Sequence, residues 1–188
     1  NNKNIKNFKL SDLRSSISLD NQDIFLFADT ILKNITLFNE ELSKKDVVKA
    51  AQNIGVWNFI NKLPGGLDYN VKERGVMLSE GQRQIISFLR AYVSKPNILI
   101  LDEATSSIDS KTEELIQFAT NKIIQNKTSI IIAHRLSTII TADKIVVMKS
   151  GNIMEIGSHY DLIKNNGYYK KLYESQFEKK ELFAEIFW

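Results

Sequence analysis

Asp102 and Glu103 are two carboxylates in direct succession, set at the end of Ile98-Leu99-Ile100-Leu101. Neighbouring side chains on a strand point to opposite faces, so the two acids can take different tasks. One can hold a hydrated Mg²⁺, and the next can receive a proton from an attacking water. A buried strand that merely ends in a polar turn would carry the same letters, so the pair needs support from elsewhere. Ser79-Glu80-Gly81-Gln82 opens a helix, where free N–H groups and the positive end of the helix dipole suit a phosphate. There Gly81 lets the backbone approach closely and the Ser79 hydroxyl adds a donor. Ser79 with Gln82 also has the spacing of a capping box, which alone explains a well-made helix start. His134, after Ile130-Ile131-Ile132-Ala133, and Gln22, after Ile17-Ser18-Leu19, are by themselves polar residues near strand ends.

The elements that must position these groups follow from periodicity and punctuation. Four apolar residues between Pro96 and the acids are too few for a globular helix and fit a central strand buried on both faces. In open α/β sheets ligands bind at the C-terminal edge of such strands. Ser11–Arg14 reads as a helical turn, Ile17–Leu19 as a short strand, and Phe25 to Ile35 as a loop leading into a short helix. Ser43 and Asp46 resemble a capping box; Val47, Ala50, Ala51, Ile54 and Trp57 then recur at helical spacing, which predicts one helix to about Ile60, stopped by Pro64-Gly65-Gly66. A second helix is expected from Gln82 to about Val93, and a third from the pair Ser110 and Glu113. Thr128–Ala133 is β-branched and strand-like. Ser150-Gly151 between two apolar runs reads as a hairpin turn. From His159 the pattern is helical, with a stop at Gly167 and an apolar end at Phe183, Ile186, Phe187 and Trp188. His159 itself is expected to carry no chemistry. Strands alternating with helices imply a parallel sheet with helices on both faces.

Composition excludes several classes of function. The 188 residues are one domain's worth of chain, and 43% hydrophobic with 25% charged is the balance of an ordinary globular protein. The net charge of +3 is spread along the chain, with Lys-Lys pairs beginning at 44, 170 and 179 on stretches that read as helical surface. Such a distribution argues a solvated face and no nucleic-acid partner. No cysteine is present, so there is no disulfide framework, thiol nucleophile or Cys-type zinc site. The longest apolar runs fall far short of the roughly 18 residues of a membrane helix. The polar start Asn1-Asn2-Lys3-Asn4, without Met or an apolar leader, reads as the middle of a longer protein.

Taken together, the motifs resemble the nucleotide-binding domain of ATP-binding cassette (ABC) proteins over about residues 5 to 177. Leu78-Ser79-Glu80-Gly81-Gln82 resembles the family's signature motif, and Ile98–Glu103 its Walker B strand with the catalytic glutamate. Ser107-Ile108-Asp109 resembles the D-loop, His134 the switch histidine and Gln22 the Q-loop glutamine. Glu73-Arg74-Gly75, Asp102 to Ser106 and Ala133 to Thr138 resemble exporters of the multidrug and lipid-flipping type. The resemblance implies a P-loop NTPase-like α/β fold, a parallel sheet flanked by helices, with a small helical subdomain at about 24–94, the Walker B, D-loop and switch part at 95–177 and a tail at 178–188.

It also implies roles for single residues: Glu103 and His134 catalytic, Asp102 and Gln22 at Mg²⁺, and Gln22, Ser79, Glu80, Gly81, Gln82 and Asp109 facing ATP. The implied partners are a second ABC ATPase domain, as homodimer or heterodimer, and a transmembrane domain that would hold the chain at the cytoplasmic face of a membrane; Glu73-Arg74-Gly75 would lie near its intracellular loops. Two departures stand out. No Gly-Lys-Ser or Gly-Lys-Thr occurs, so the phosphate loop and the adenine-stacking aromatic are expected upstream of Asn1, and lost sheet strands are expected to leave apolar surface bare. The signature carries Glu80-Gly81 in place of Gly-Gly. Alternative functions are a non-catalytic cassette that supplies its signature surface in trans, and a DNA-repair or chromosome-type ABC ATPase. The short stretch between Gln22 and Ser79, with no room for a long coiled coil, speaks against the latter.

Overall fold

The structure, a computed structural model, describes residues 4–102, 108–133 and 136–175. Two compact units follow each other, Asn1–Ile132 and Ala133–Trp188. In the first unit, α1 (Leu10–Ser16) leads into β1 (Ile17–Asp20). Helices α2 (Ile31–Thr36), α3 (Lys44–Asn53), α4 (Trp57–Asn61) and α5 (Glu80–Val93) follow, then β2 (Ile98–Asp102), α6 (Ser110–Ile124) and β3 (Thr128–Ile132). The strands form a parallel sheet in the order β1-β2-β3, with Leu19 opposite Ile100 and Ile100 opposite Ile130.

The helix expected from Ser43 to about Ile60 is two helices. The capping box at Ser43 and Asp46 forms, but α3 ends at Asn53 and α4 begins only at Trp57. Gly55 lies between them at φ +78°, a left-handed conformation that costs a residue with a side chain about 1–2 kcal/mol. A Cβ on it would also stand 2.6 Å from the ring of Phe118.

α5 is the element around which the first unit is packed. Its buried residues Ile85, Ile86, Phe88 and Leu89 share one apolar core with Ile31, Ile35, Val47 and Ala51 of the helical layer, with Leu99 and Leu101 of β2, and with Ile116, Ala119 and Ile123 of α6. Only one face of the sheet is covered in this way. Leu99, Leu101 and Asp20 point into the helices, whereas Ile17, Leu19, Ile130 and Ile132 on the other face are 40%, 57%, 56% and 52% exposed. The departure from helices on both faces has a topological cause. Both crossovers step the strand order the same way, and right-handed crossovers stepping one way return on the same face. Apolar surface is bare on the opposite face.

The second unit holds α7 (Leu136–Ile140), a helix with no counterpart in the sequence reading, and then an antiparallel hairpin of β4 (Ile145–Lys149) and β5 (Asn152–Gly157). Ser150 and Gly151 at its turn both have positive φ, as a two-residue type I′ turn requires. α8 (His159–Lys164) and a helical stretch at 168–175 follow, on either side of Gly167. Val147, Leu162 and Tyr169 form the small core of this unit, and His159 Nδ1 lies 2.6 Å from the Tyr169 hydroxyl.

Candidate functional site

The N-terminus of α5 is built by reciprocal hydrogen bonds. The Ser79 Oγ accepts from the Gln82 N–H at 3.3 Å, and the Gln82 Oε1 accepts from the Ser79 N–H at 3.0 Å. The box consumes those two donors and leaves the N–H groups of Glu80 and Gly81 at the end of a 14-residue helix. Ser79 is exposed, Glu80 and Gln82 are half-buried and Gly81 is buried. The side-chain-free face of Gly81 is turned toward Thr112 and Ile108 of the same chain, so the close approach it permits here is to the start of α6.

Gln22 and Glu80, 58 positions apart, line one open cleft of about 430 Å³ together with Asp23, Ile24, Phe25, Arg74 and Arg83. The loop after Gln22 is held from inside. Buried Asn34 accepts from the Phe27 N–H at 2.8 Å and donates to the Phe27 and Thr30 carbonyls, each at 3.0 Å. Arg90 of α5 donates to the Asn34 carbonyl at 2.9 Å and the Phe25 carbonyl at 3.2 Å. On the other wall, the turn Glu73–Gly75 sits so close to buried Leu26 that a Cβ on Gly75 would lie 2.7 Å from its Cδ1.

Asp102 ends β2 half-buried, beside a group that the motif reading does not single out. Asp20, the last residue of β1, lies opposite Leu101 and is 2% exposed, and the Ser87 hydroxyl of α5 donates to it. Burial pushes its carboxyl up to about 6, the Ser87 hydrogen bond and Arg90 pull it down, and Asp102 adds a further upward push. Strand alternation could have found it, since Asp20 shares parity with Ser18 and opposes Ile17 and Leu19.

Asp109 is exposed and caps α6, its carboxylate accepting the Thr112 N–H at 3.0 Å. The helix therefore starts one residue before the Ser110 and Glu113 pair expected from the sequence, because Asp109 already has the extended backbone and the acceptor a cap needs. The hydrogen bonds from Thr112 hold the Asp109 carboxyl below the usual carboxylate range. Glu103, Ser107 and His134 lie outside the described residues, as do Arg135 and the tail at 178–188. Among the described residues no three His, Cys, Asp or Glu side chains cluster as a metal site. Asp102 and Gln22 offer a carboxylate and an amide carbonyl, hard oxygen donors of the kind that suits Mg²⁺ keeping several of its waters.

The sequence model of the ABC transporter family matches residues 1–106, more than half of the chain. The chain belongs to that family. Among proteins similar to this ABC chain is the "Uncharacterized ABC transporter ATP-binding protein YknU" of Bacillus subtilis, 42% identical over 183 residues, which are 97% of the chain and 31% of the relative. Another is a Staphylococcus aureus protein named "Putative multidrug export ATP-binding/permease protein", 47% identical over 173 residues, 92% of the chain and 30% of the relative. A solved structure described as a bacterial Atm1-family ABC exporter with ATP bound superposes with a TM-score of 0.81 at 38% identity, over 92% of the chain and 30% of that protein. The ABC chain thus spans about a third of the length of the curated relatives it matches. Its fold is that of the family's ATPase domain, and nucleotide binding is the family's common property. No helix among its described residues is long and apolar enough to cross a membrane.

Proposed function

We propose that this chain is the ATP-hydrolysing part of an ABC exporter, held at the cytoplasmic face of a membrane by a transmembrane part and paired with a second domain of its own kind. The observation that carries the reading is the start of α5. Its capping box leaves two backbone N–H groups at the positive end of a long helix, an arrangement that suits a phosphate. In this reading Ser79, Glu80, Gly81 and Gln82 face the ATP held by the partner domain, with Asp109 beside them. Asp102 and Gln22 hold Mg²⁺, which when bound neutralises charge on the phosphate oxygens. Glu103 takes the proton of the attacking water, and His134 contacts the γ-phosphate. The cleft between Gln22, Arg74 and Glu80 receives an intracellular segment of the transmembrane part, so that the Gln22 loop senses both nucleotide and transport. Export as the direction of transport is supported by two of the relatives above, one named for multidrug export and one described as an ABC exporter.

In this reading the phosphate loop is supplied from outside the 188 residues, and the decisive experiment compares the 188-residue chain with one extended upstream to include such a loop. Binding of a fluorescent ATP analogue with Mg²⁺ is expected for the longer protein and not for the shorter. Mg²⁺-dependent hydrolysis by the longer protein is expected to fall about 10²–10⁴-fold in Glu103→Gln. Undiminished turnover in that variant would remove Glu103 from the mechanism.

A further inference from the structure

Glycine at position 81 is demanded by the chain's own packing. Gly81 lies inside helix α5 with no positive φ, so its backbone would accept any side chain. What excludes one is contact: a Cβ would lie 2.6 Å from Thr112 Cγ2 and 2.9 Å from Ile108 Cγ2, with Ile116 Cδ1 at 3.6 Å. Real carbon atoms do not approach to 2.6 or 2.9 Å without a shift of one partner, and here the nearest obstacle is the short, β-branched side chain of a half-buried helical residue, which is stiff at χ1. Thr112 is committed at its backbone as well. Its N–H donates to Asp109 Oδ1 at 3.0 Å. One residue thus rests its methyl against the α-carbon of Gly81 while its N–H holds Asp109.

We propose that Thr112 is a positioning residue, a strut that ties the start of α5 to the Asp109 turn so that both are presented to the nucleotide as one preformed surface. The inference rests on the nucleotide-facing role proposed above for Gly81 and Asp109. It differs from the view that Gly81 is small only to admit a phosphate. If the phosphate sets the limit, nothing done on α6 eases a methyl group at 81; if Thr112 sets it, removing the Thr112 methyl relieves the closest contact.

The test is a set of variants in the protein carrying its upstream phosphate loop, read by kcat and KM for ATP and by urea unfolding. Gly81→Ala is expected to lower kcat at least tenfold. Adding Thr112→Ser, which keeps the hydroxyl and removes the closer of the two obstructing methyl groups, is expected to recover part of the lost kcat, since Ile108 Cγ2 at 2.9 Å remains. A double variant as impaired as Gly81→Ala would overturn the proposal. Thr112→Ser alone keeps the Asp109 hydrogen bond and does not depend on whether Gly81→Ala folds. It is expected to lower kcat at least threefold with little change in the urea midpoint, and an unchanged kcat would overturn the strut. Absence of ATP hydrolysis in the parent would instead overturn the ATPase reading. In that event the packing contact is still read by unfolding of the 188-residue chain, where Thr112→Ser recovers part of the midpoint lost in Gly81→Ala, and no recovery there counts against the strut independently.

Discussion

Asp20 is a carboxyl placed under helix α5 at the end of a strand, and its ordinary value of 3.8 rises to about 6. The folded state therefore binds its proton more tightly than the unfolded state does. Stability from this group is fully present below about pH 4 and is lost as pH rises through about 6, a change of about 3 kcal/mol over that window. Urea midpoints measured from pH 4 to 7 are expected to fall across it. Asp20→Asn, which keeps an acceptor for the Ser87 hydroxyl, is expected to flatten the slope; a slope that survives the substitution would place its origin elsewhere. At this scale the sequence is readable where chemistry follows from side-chain type and incomplete where it follows from burial. Ser79 and Gln82 announce their box by spacing, whereas Asp20 reads as the polar end of a short strand until parity assigns it to the helix side.

Among the elements, α5 is legible from end to end because its cap and its apolar spacing agree. The α3 and α4 region is less so, since Val47, Ala50, Ala51, Ile54 and Trp57 keep helical spacing straight through Gly55. Periodicity measures which face is apolar, not whether the backbone is continuous, and two short helices can present the same face. The informative residue was the glycine, whose left-handed φ ends α3. Gly55→Ala is expected to cost about 1–2 kcal/mol by chemical denaturation, chiefly through backbone strain. Trimming the ring in Gly55→Ala/Phe118→Leu removes the 2.6 Å clash but leaves that strain, so recovery in the pair is expected to be partial. Full recovery would mean that the ring and not the backbone sets the requirement. The cap of α6 teaches a related point: Asp109 and Ser110 are both good caps, and only the backbone decides which of them is used.

At the scale of the whole molecule, the parallel order β1-β2-β3 could be expected from alternating strands and helices, but the bare face could not be located without the direction of the crossovers. Ile17, Leu19, Ile130 and Ile132 form an apolar surface on a sheet whose outer strands are both edges, the combination that favours edge-to-edge or face-to-face association. The 188-residue chain is expected to self-associate at tens of micromolar in sedimentation velocity. Leu19→Glu/Ile130→Glu is expected to shift it toward monomer, and equal association by that variant would direct attention to another surface.

The pairing of Ile17 with Ile98 also sets a timetable for the growing chain. Counting from 17 to 98, β1 leaves the ribosome 81 positions ahead of the strand it pairs with. At a synthesis rate of about 5–20 residues per second it waits some 4–16 seconds with its hydrogen-bonding edge unpaired. During that interval α2 to α5 emerge in order, and the Arg90 bonds to the Asn34 and Phe25 carbonyls can close among residues already made. The helical layer can therefore form before the sheet, and β2 then arrives on an α5 surface that is already standing.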